Sequence, residues 1–291
     1  MDRVAAELGL VVVGRPDGGE HGALAVDAQD GEPLVLKVFG RDQASRLADA
    51  LRVAHRVRAR GVPVPDPYWV GTTPECAYTL QRRADGRVPG VLEESHALQM
   101  LQFWRAHLDA VPEGGDWPER AVQALQVGDI ELWAVHEPIR AVGGEALQLL
   151  EEIIEIGRSA DPAVLRRTDA LHGDWHHRNL LANGSVVTAV IDWESARAGD
   201  ARYDLLLVNY WTDTYEGAGV SPAASRQIRH AVDALVSPEA RPLLAALVCL
   251  HQLWFVCAHR PERLRETVDR VRRHLGRHRS NGRPFGPQSG G

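Results

Sequence analysis

Lysine is almost absent from this 291-residue chain: of 33 basic residues, Lys37 alone is a lysine and the others are arginines. Arginine and lysine exchange freely at most solvated positions, so a lone lysine points to a site that needs a compact ammonium on a flexible stem. Cysteine is scarce too. Cys76, Cys249 and Cys257 are an odd set without metal-type spacing, which argues against a disulfide framework and implies reduced thiols in a cytoplasmic protein. No basic run followed by an apolar block occupies residues 1–10, so no signal peptide is expected. The longest apolar stretches, 243–250 and 253–258, fall short of the roughly 20 residues a membrane span requires, and no internal repeat is present.

What the chain does contain is enough apolar residue, 44 % against 25 % charged, to bury a core across one large domain or two modest ones. The formal net charge is −6. Basic residues concentrate only in 258–291, where nine arginines face Glu262, Glu266 and Asp269. Arg263, Arg270, Arg273 and Arg277 recur there at helical spacings, as a solvated helix face does. The acidic remainder disfavours a polyanion, so nucleic acid is not an expected partner.

Lys37 lies in an apolar run over 32–40, behind a Gln29-Asp30-Gly31 turn signal, and that run reads as a strand. A lysine in a buried strand must find an anionic partner, because an unpaired buried ammonium is very costly. Residues 10–14 and 23–28 read as two further strands, making an antiparallel meander. The connection 15–22 carries Gly18, Gly19 and Gly22, which would let backbone N–H groups approach phosphates. A helix is expected over 41–60, with Leu47, Ala50, Leu51, Ala54 and Val57 at helical spacing and Gly61 and Pro63 at its end. One short strand lies between Pro65-Asp66-Pro67 and Gly71, another over 77–81, and the polar stretch 82–89 marks a boundary. Helical periodicity then dominates, with Met100, Leu101, Trp104 and Leu108 in one stripe and helices over 118–135 and 138–157. Short strands return over 171–192, helices from 204 to 278, and 280–291 reads as a disordered tail.

The densest constellation is His172-Gly173-Asp174-Trp175-His176-His177-Arg178-Asn179, followed by an apolar run that ends in Asp192-Trp193-Glu194. Asn183-Gly184 between them is a strong hairpin signal. The two stretches should therefore return antiparallel and bring Asp174, Asn179 and Asp192 to the same end of a hairpin. Two carboxylates and an amide oxygen are the hard ligands and base that a Mg–nucleotide site needs. A zinc hydrolase using His172, Asp174, His176 and His177 is a rival reading, but adjacent positions on a strand face opposite ways.

His-x-Asp-x-x-x-x-Asn before a hydrophobic strand ending in Asp resembles the catalytic and metal-binding loops of protein kinases. Gly173, the Asp192-Trp193-Glu194 segment and the run Gly199 to Leu205 make the chain more similar to the aminoglycoside phosphotransferase and choline kinase-like family, up to about residue 216. The resemblance implies an α+β, two-lobed protein-kinase-like fold, with a small antiparallel β-rich lobe over 1–83 and a larger, mainly helical lobe over 84–279. It implies ATP, or GTP in its place, and Mg2+. Asp174 would orient the attacking hydroxyl and accept its proton, Asn179 and Asp192 would hold Mg2+, and Lys37 would contact the α- and β-phosphates. Gly18, Gly19 and Gly22 would cover the phosphates, the backbone near Gln81 and Arg83 would meet the base, and His172, Asp200 and Asp204 would support the loop. The implied activity is O-phosphotransfer to a small molecule, an aminoglycoside-like antibiotic first, with choline, homoserine or a sugar as alternatives. Trp211, Asp213, Tyr215 and Glu216 combine aromatic and acidic groups suited to an amine- and hydroxyl-bearing ring. One departure stands out: the family's helix glutamate that pairs with the strand lysine is missing. Asp49, one methylene shorter, is its expected substitute, and an impaired, merely nucleotide-binding pseudokinase is the alternative.

Overall fold

Alternation along residues 33–40 organises the N-terminal sheet. In the computed structural model, which describes residues 1–15, 22–66 and 68–278, Leu34 and Leu36 are buried on one face of their strand and Lys37 belongs to the other. The strands are β1 (Val11–Gly14), β2 (Leu24–Asp27), β3 (Pro33–Gly40), β4 (Tyr68–Thr72) and β5 (Cys76–Arg82). They form one antiparallel sheet in the order β1-β2-β3-β5-β4. Lys37 stands opposite Thr79, and Gln81 stands between Val35 and Tyr68. Leu24, Val26, Leu34 and Leu36 share a core cluster with Ala5 of α1 (Asp2–Glu7), a helix that no pattern in the sequence announces. Helix α2 (Ala44–Arg58) buries Leu47, Ala50, Val53, Ala54 and Val57 against this region, packing on β4 and β5.

Beyond the sheet the chain is mainly helical, as expected: α3 (Glu94–Arg105), α4 (Trp117–Val127), α5 (Glu137–Val142), α6 (Gly144–Arg158) and, after the small strands, α7 (Arg202–Tyr215), α8 (Pro222–Leu235), α9 (Arg241–His259) and α10 (Leu264–His278). The helix expected over 118–135 stops at Val127, because Gly128 turns left-handed at φ 91° and Arg120 then clamps Asp129 through two hydrogen bonds of 2.9 and 2.7 Å. The helix expected over 138–157 is cut by Gly143 and Gly144, at φ 71° and 57°.

Packing divides the chain into two units, Met1–Trp117 with Arg166–Val232, and Pro118–Leu165 with the residues from Asp233 onward. In the second, α9 has the length and apolarity of a membrane span, yet it packs on α5, α6 and α10 with most of its apolar residues buried. The first unit holds the residues singled out as chemical. There β6 (Asp169–Leu171) pairs with β9 (Arg197–Gly199), and β7 (Leu180–Asn183) pairs with β8 (Val186–Val190), both antiparallel. The β7–β8 hairpin turns at Asn183-Gly184 as read. Helix α3 holds it: His96 Nε2 donates to Gly184 O (2.8 Å), Gln99 Nε2 donates to Ser185 O (2.7 Å), and Gln99 Oε1 accepts from Val187 N (3.0 Å). Gly18, Gly19 and the tail 280–291 lie outside the described residues.

Candidate active site

The loop His172–Asn179 between β6 and β7 is shaped by buried hydrogen bonds. Asp204, fully buried in the first turn of α7, accepts from the backbone N–H of His172 (2.8 Å) and of Gly173 (3.0 Å). His172 Nδ1 accepts from Asp174 N (3.2 Å), so the proton sits on Nε2, which donates to Ile191 O (3.0 Å). The ring thereby ties the loop to the strand end that carries Asp192, and it packs on Trp193 and Trp175 at centroid distances of 4.5 and 5.5 Å. Burial pushes its pKa below the ordinary histidine value. With both nitrogens engaged, His172 is removed from the zinc set weighed above.

Asp174 is held at both carboxylate oxygens while 43 % of its side chain stays exposed. Asn179 Nδ2 donates to Asp174 Oδ2 (2.9 Å) and to its backbone carbonyl (2.8 Å). His176 Nδ1 accepts from Arg178 N (3.2 Å), which leaves Nε2 as the donor 3.2 Å from Asp174 Oδ1. Burial alone would push this carboxyl up. His176, His172 and the Asn179 amide outweigh it and hold Asp174 well below the usual carboxylate range.

Asp192 has left-handed backbone, φ 67° and ψ 49°, a conformation few residues other than glycine, Asn and Asp adopt. It leads into a 3-10 turn over Trp193–Ser195. Lys37 Nζ lies 2.7 Å from Asp192 Oδ1 and 3.1 Å from Glu194 Oε1, with the lysine side chain 13 % and that of Glu194 11 % exposed. Burial works against the ammonium, but Glu194 and Asp192 together more than offset it and raise the lysine pKa. The expected partner Asp49 is corrected here: it pairs with Arg52 on the half-exposed face of α2. Consecutive helix positions differ by about 100°, so the neighbouring Ala50 takes the buried face and Asp49 does not. Glu194, which residue type and spacing left without a role, supplies the carboxylate instead. The only signal for it in the sequence is its place in Asp192-Trp193-Glu194.

Both N–H bonds of the Asn179 amide are spent on Asp174, so its Oδ1 is left to accept, and Ile191 N donates to Asn179 O (3.0 Å), fixing Asn179 beside the Asp192 turn. These are hard oxygen donors. Mg2+ takes one or two carboxylates and completes its shell with waters and substrate phosphates; among the described residues no group of three or more His, Cys, Asp or Glu side chains stands together as a metal site. The donor chemistry of the Asn179 amide oxygen and the Asp192 carboxylate fits Mg2+ rather than a softer metal. Gln81 is buried with an unpartnered Oε1, an acceptor suited to a donor such as an exocyclic amine. Arg83 differs: its N–H already donates to Pro33 O (2.9 Å) and its guanidinium lies 3.9 Å from Asp27. Gly22 is left-handed, at φ 67°.

On the other side of Asp174, the His176 ring meets Trp211 at 4.9 Å. Trp211 and Tyr215 stack at 5.4 Å and 5° between planes, and the Arg178 guanidinium lies 5.9 and 5.2 Å from their centroids. Asp213 and Glu216, predicted beside them, are both bound by Arg229 of α8, at 3.0 and 2.9 Å. The aromatic pair thus adjoins the loop, while the two acids share one arginine.

The chain resembles known proteins in sequence and in fold. The profile of the Phosphotransferase enzyme family (APH) matches residues 13–243. Hygromycin-B 4-O-kinase of Escherichia coli is 23 % identical over 167 residues, 52 % of this chain and 48 % of that protein, so the match spans about half the relative's length. Among solved structures, a thermostable mutant of aminoglycoside phosphotransferase APH(4)-Ia in ternary complex with ADP and hygromycin B gives a TM-score of 0.67 at 18 % identity, covering 97 % of this chain and 99 % of that one. An aminoglycoside-3'-phosphotransferase of type VIII gives 0.59 at 22 % identity, covering 88 % and 99 %. The likeness to these structures establishes the fold.

Proposed function

This chain belongs to the Phosphotransferase enzyme family, and from that premise we propose that it is an ATP-dependent O-phosphotransferase acting on a hydroxyl of a small molecule. One observation carries the reading: the 172–179 loop holds Asp174 and Asn179 in contact, and the β7–β8 hairpin returns the chain so that Asn179 lies beside the Asp192 turn, where Asp192 meets the lone lysine. Lys37, kept protonated by two carboxylates, binds the α- and β-phosphates. The backbone at Gly22 lies over them, and Gln81 Oε1 accepts from the base. Mg2+ held by Asn179 and Asp192 would, when bound, neutralise phosphate charge and orient the transferring group. Asp174 aims the acceptor hydroxyl. Phosphoryl transfer passes through a loose transition state, so the hydroxyl proton leaves late, and a firmly ionised carboxylate serves orientation better than early deprotonation. The Trp211–Tyr215 stack offers a flat wall to a ring. Hygromycin-B 4-O-kinase and the hygromycin B complex named above favour an aminoglycoside-like acceptor among hydroxylated candidates.

Titration calorimetry with ATP, with and without EDTA, on wild type and Asp192→Ala tests the nucleotide site, with GTP in competition. Binding that needs both Mg2+ and Asp192 is expected. Wild-type protein blank with both nucleotides would overturn the reading. A screen of hydroxylated antibiotics and metabolites by ADP release then identifies the acceptor.

A further inference from the structure

Lys37 needs a counter-charge at every stage of turnover, because at 13 % exposure an unpaired ammonium is very costly. It has two. If Asp192 is a metal ligand, its charge is drawn to the cation whenever Mg2+ is bound, and the protein carboxylate left to hold Lys37 towards the phosphates is then Glu194, at 3.1 Å.

Glu194 is fixed for that task from two directions. Its Oε1 also accepts from Thr79 Oγ1 at 3.4 Å, and Thr79 is the residue directly opposite Lys37 in the β3–β5 register. Its backbone carbonyl accepts from Arg46 Nη1 of α2 at 2.7 Å, while Arg46 Nη2 donates to Gln43 Oε1 at 2.8 Å. Helix α2 therefore serves the lysine through an arginine that clamps Glu194, while its own acid, Asp49, turns to Arg52.

We propose that Glu194 is the positioning residue that holds Lys37 against the nucleotide phosphates, in place of an acid on α2, with Arg46 acting through it. The proposal rests on the nucleotide-site reading above. The lysine's anchor and one metal ligand then lie two residues apart on a single turn. Their relative geometry is set by the Asp192–Ser195 turn rather than by where α2 sits.

The test is calorimetric affinity for Mg·ATP and for adenosine in wild type, Glu194→Gln, Glu194→Asp, Lys37→Met and the Lys37→Met/Glu194→Gln double variant, with the Mg2+ requirement measured in parallel. Glu194→Gln should weaken Mg·ATP by about thirtyfold, the lower end for truncating a buried charge pair, since Asp192 remains. Adenosine affinity and the half-saturating Mg2+ concentration should not move, and in the Lys37→Met background the same change should add nothing. Asp49→Ala should bind as wild type does. Unchanged Mg·ATP affinity in Glu194→Gln, full additivity in the double variant, or a raised Mg2+ requirement would each overturn the proposal. If Glu194→Gln does not fold, Glu194→Asp keeps the charge at shorter reach and should lose part of the affinity; wild-type affinity there would overturn it equally. Wild type that fails to bind Mg·ATP would fell the nucleotide site as a whole, whereas normal wild-type binding with an unaffected Glu194→Gln fells only the role of Glu194.

Discussion

Replacing Gly173 with alanine should damage the Asp174 loop far more than a left-handed glycine substitution ordinarily does. Gly173 sits at φ 83°, and an added Cβ would lie 3.1 Å from both the Cβ and the carbonyl oxygen of Ser195. Two costs add. An L-residue held left-handed loses about 1–2 kcal/mol. Crowding a neighbour that must shift costs about 1–3 kcal/mol more, and Ser195 belongs to the turn that carries Glu194. Gly184→Ala is the control, because Gly184 is also left-handed, at φ 59°, with nothing within 4 Å of its added Cβ. Urea unfolding followed by circular dichroism should then give a loss of about 1–2 kcal/mol for Gly184→Ala and about 2–5 kcal/mol for Gly173→Ala. Turnover should separate the pair further. A displacement of about 1 Å in a positioning group costs roughly a hundredfold, so Gly173→Ala should lose most activity while Gly184→Ala keeps it. Equal destabilisation in the two variants, or wild-type turnover in Gly173→Ala, would refute the claim that Gly173 marks a required close approach.

Asp174→Asn should retain Mg·ATP affinity and lose most of kcat, measured by ADP release; equal loss of binding and turnover would contradict its role towards the hydroxyl. Lys37→Arg keeps the charge but puts a planar fork into a nearly buried slot, and crowding of about 1–3 kcal/mol should appear as a weaker Mg·ATP Kd by calorimetry; normal affinity would undo the lone-lysine argument. Acid should weaken the second unit through His278, which packs edge to face on His274 at 4.5 Å. Burial, aided by Arg241 and Arg277, brings His278 down to about 4, against about 6.5 in an unfolded chain. The unfolded chain binds more protons between those values, so this stability is complete above the unfolded pKa and is lost as pH falls towards the folded one, by about 2 kcal/mol at pH 5. His278→Gln should reduce by that amount the stability lost between pH 8 and pH 5 in urea unfolding, to which buried His274 and His136 contribute in the same direction, and an unchanged loss would exclude His278 as a source.

Much of the site could be read from the chain because its signals are local. Asp174 and Asn179 sit in one short loop, Asn183-Gly184 dictates that the next strand returns beside it, and Lys37 is conspicuous because arginine fills every other basic position. Turns set by left-handed glycines were harder: nothing in the apolar spacing over 138–157 marks Gly143-Gly144 as a break rather than a tolerated pair. Helix phase is what hid the lysine's partner. Asp49 was of the right type at nearly the right position, but one residue along α2 separates the Arg52 face from the face that buries Ala50. Phase also separates side chains on α7, which ends at Tyr215 just before Glu216. Trp211 and Tyr215 are four residues apart and stack on one face, whereas Asp213 and Glu216 lie where Arg229 reaches both. A residue inventory of that helix end suggests an acidic, aromatic pocket, and the i,i+4 spacing resolves it into an aromatic wall and a separate ion-pair cluster. An acceptor at this wall would meet rings and the Arg178 guanidinium before it met a free carboxylate. Recognition of a ring face, rather than neutralisation of a cation, is therefore the interaction that acceptor screening should vary first.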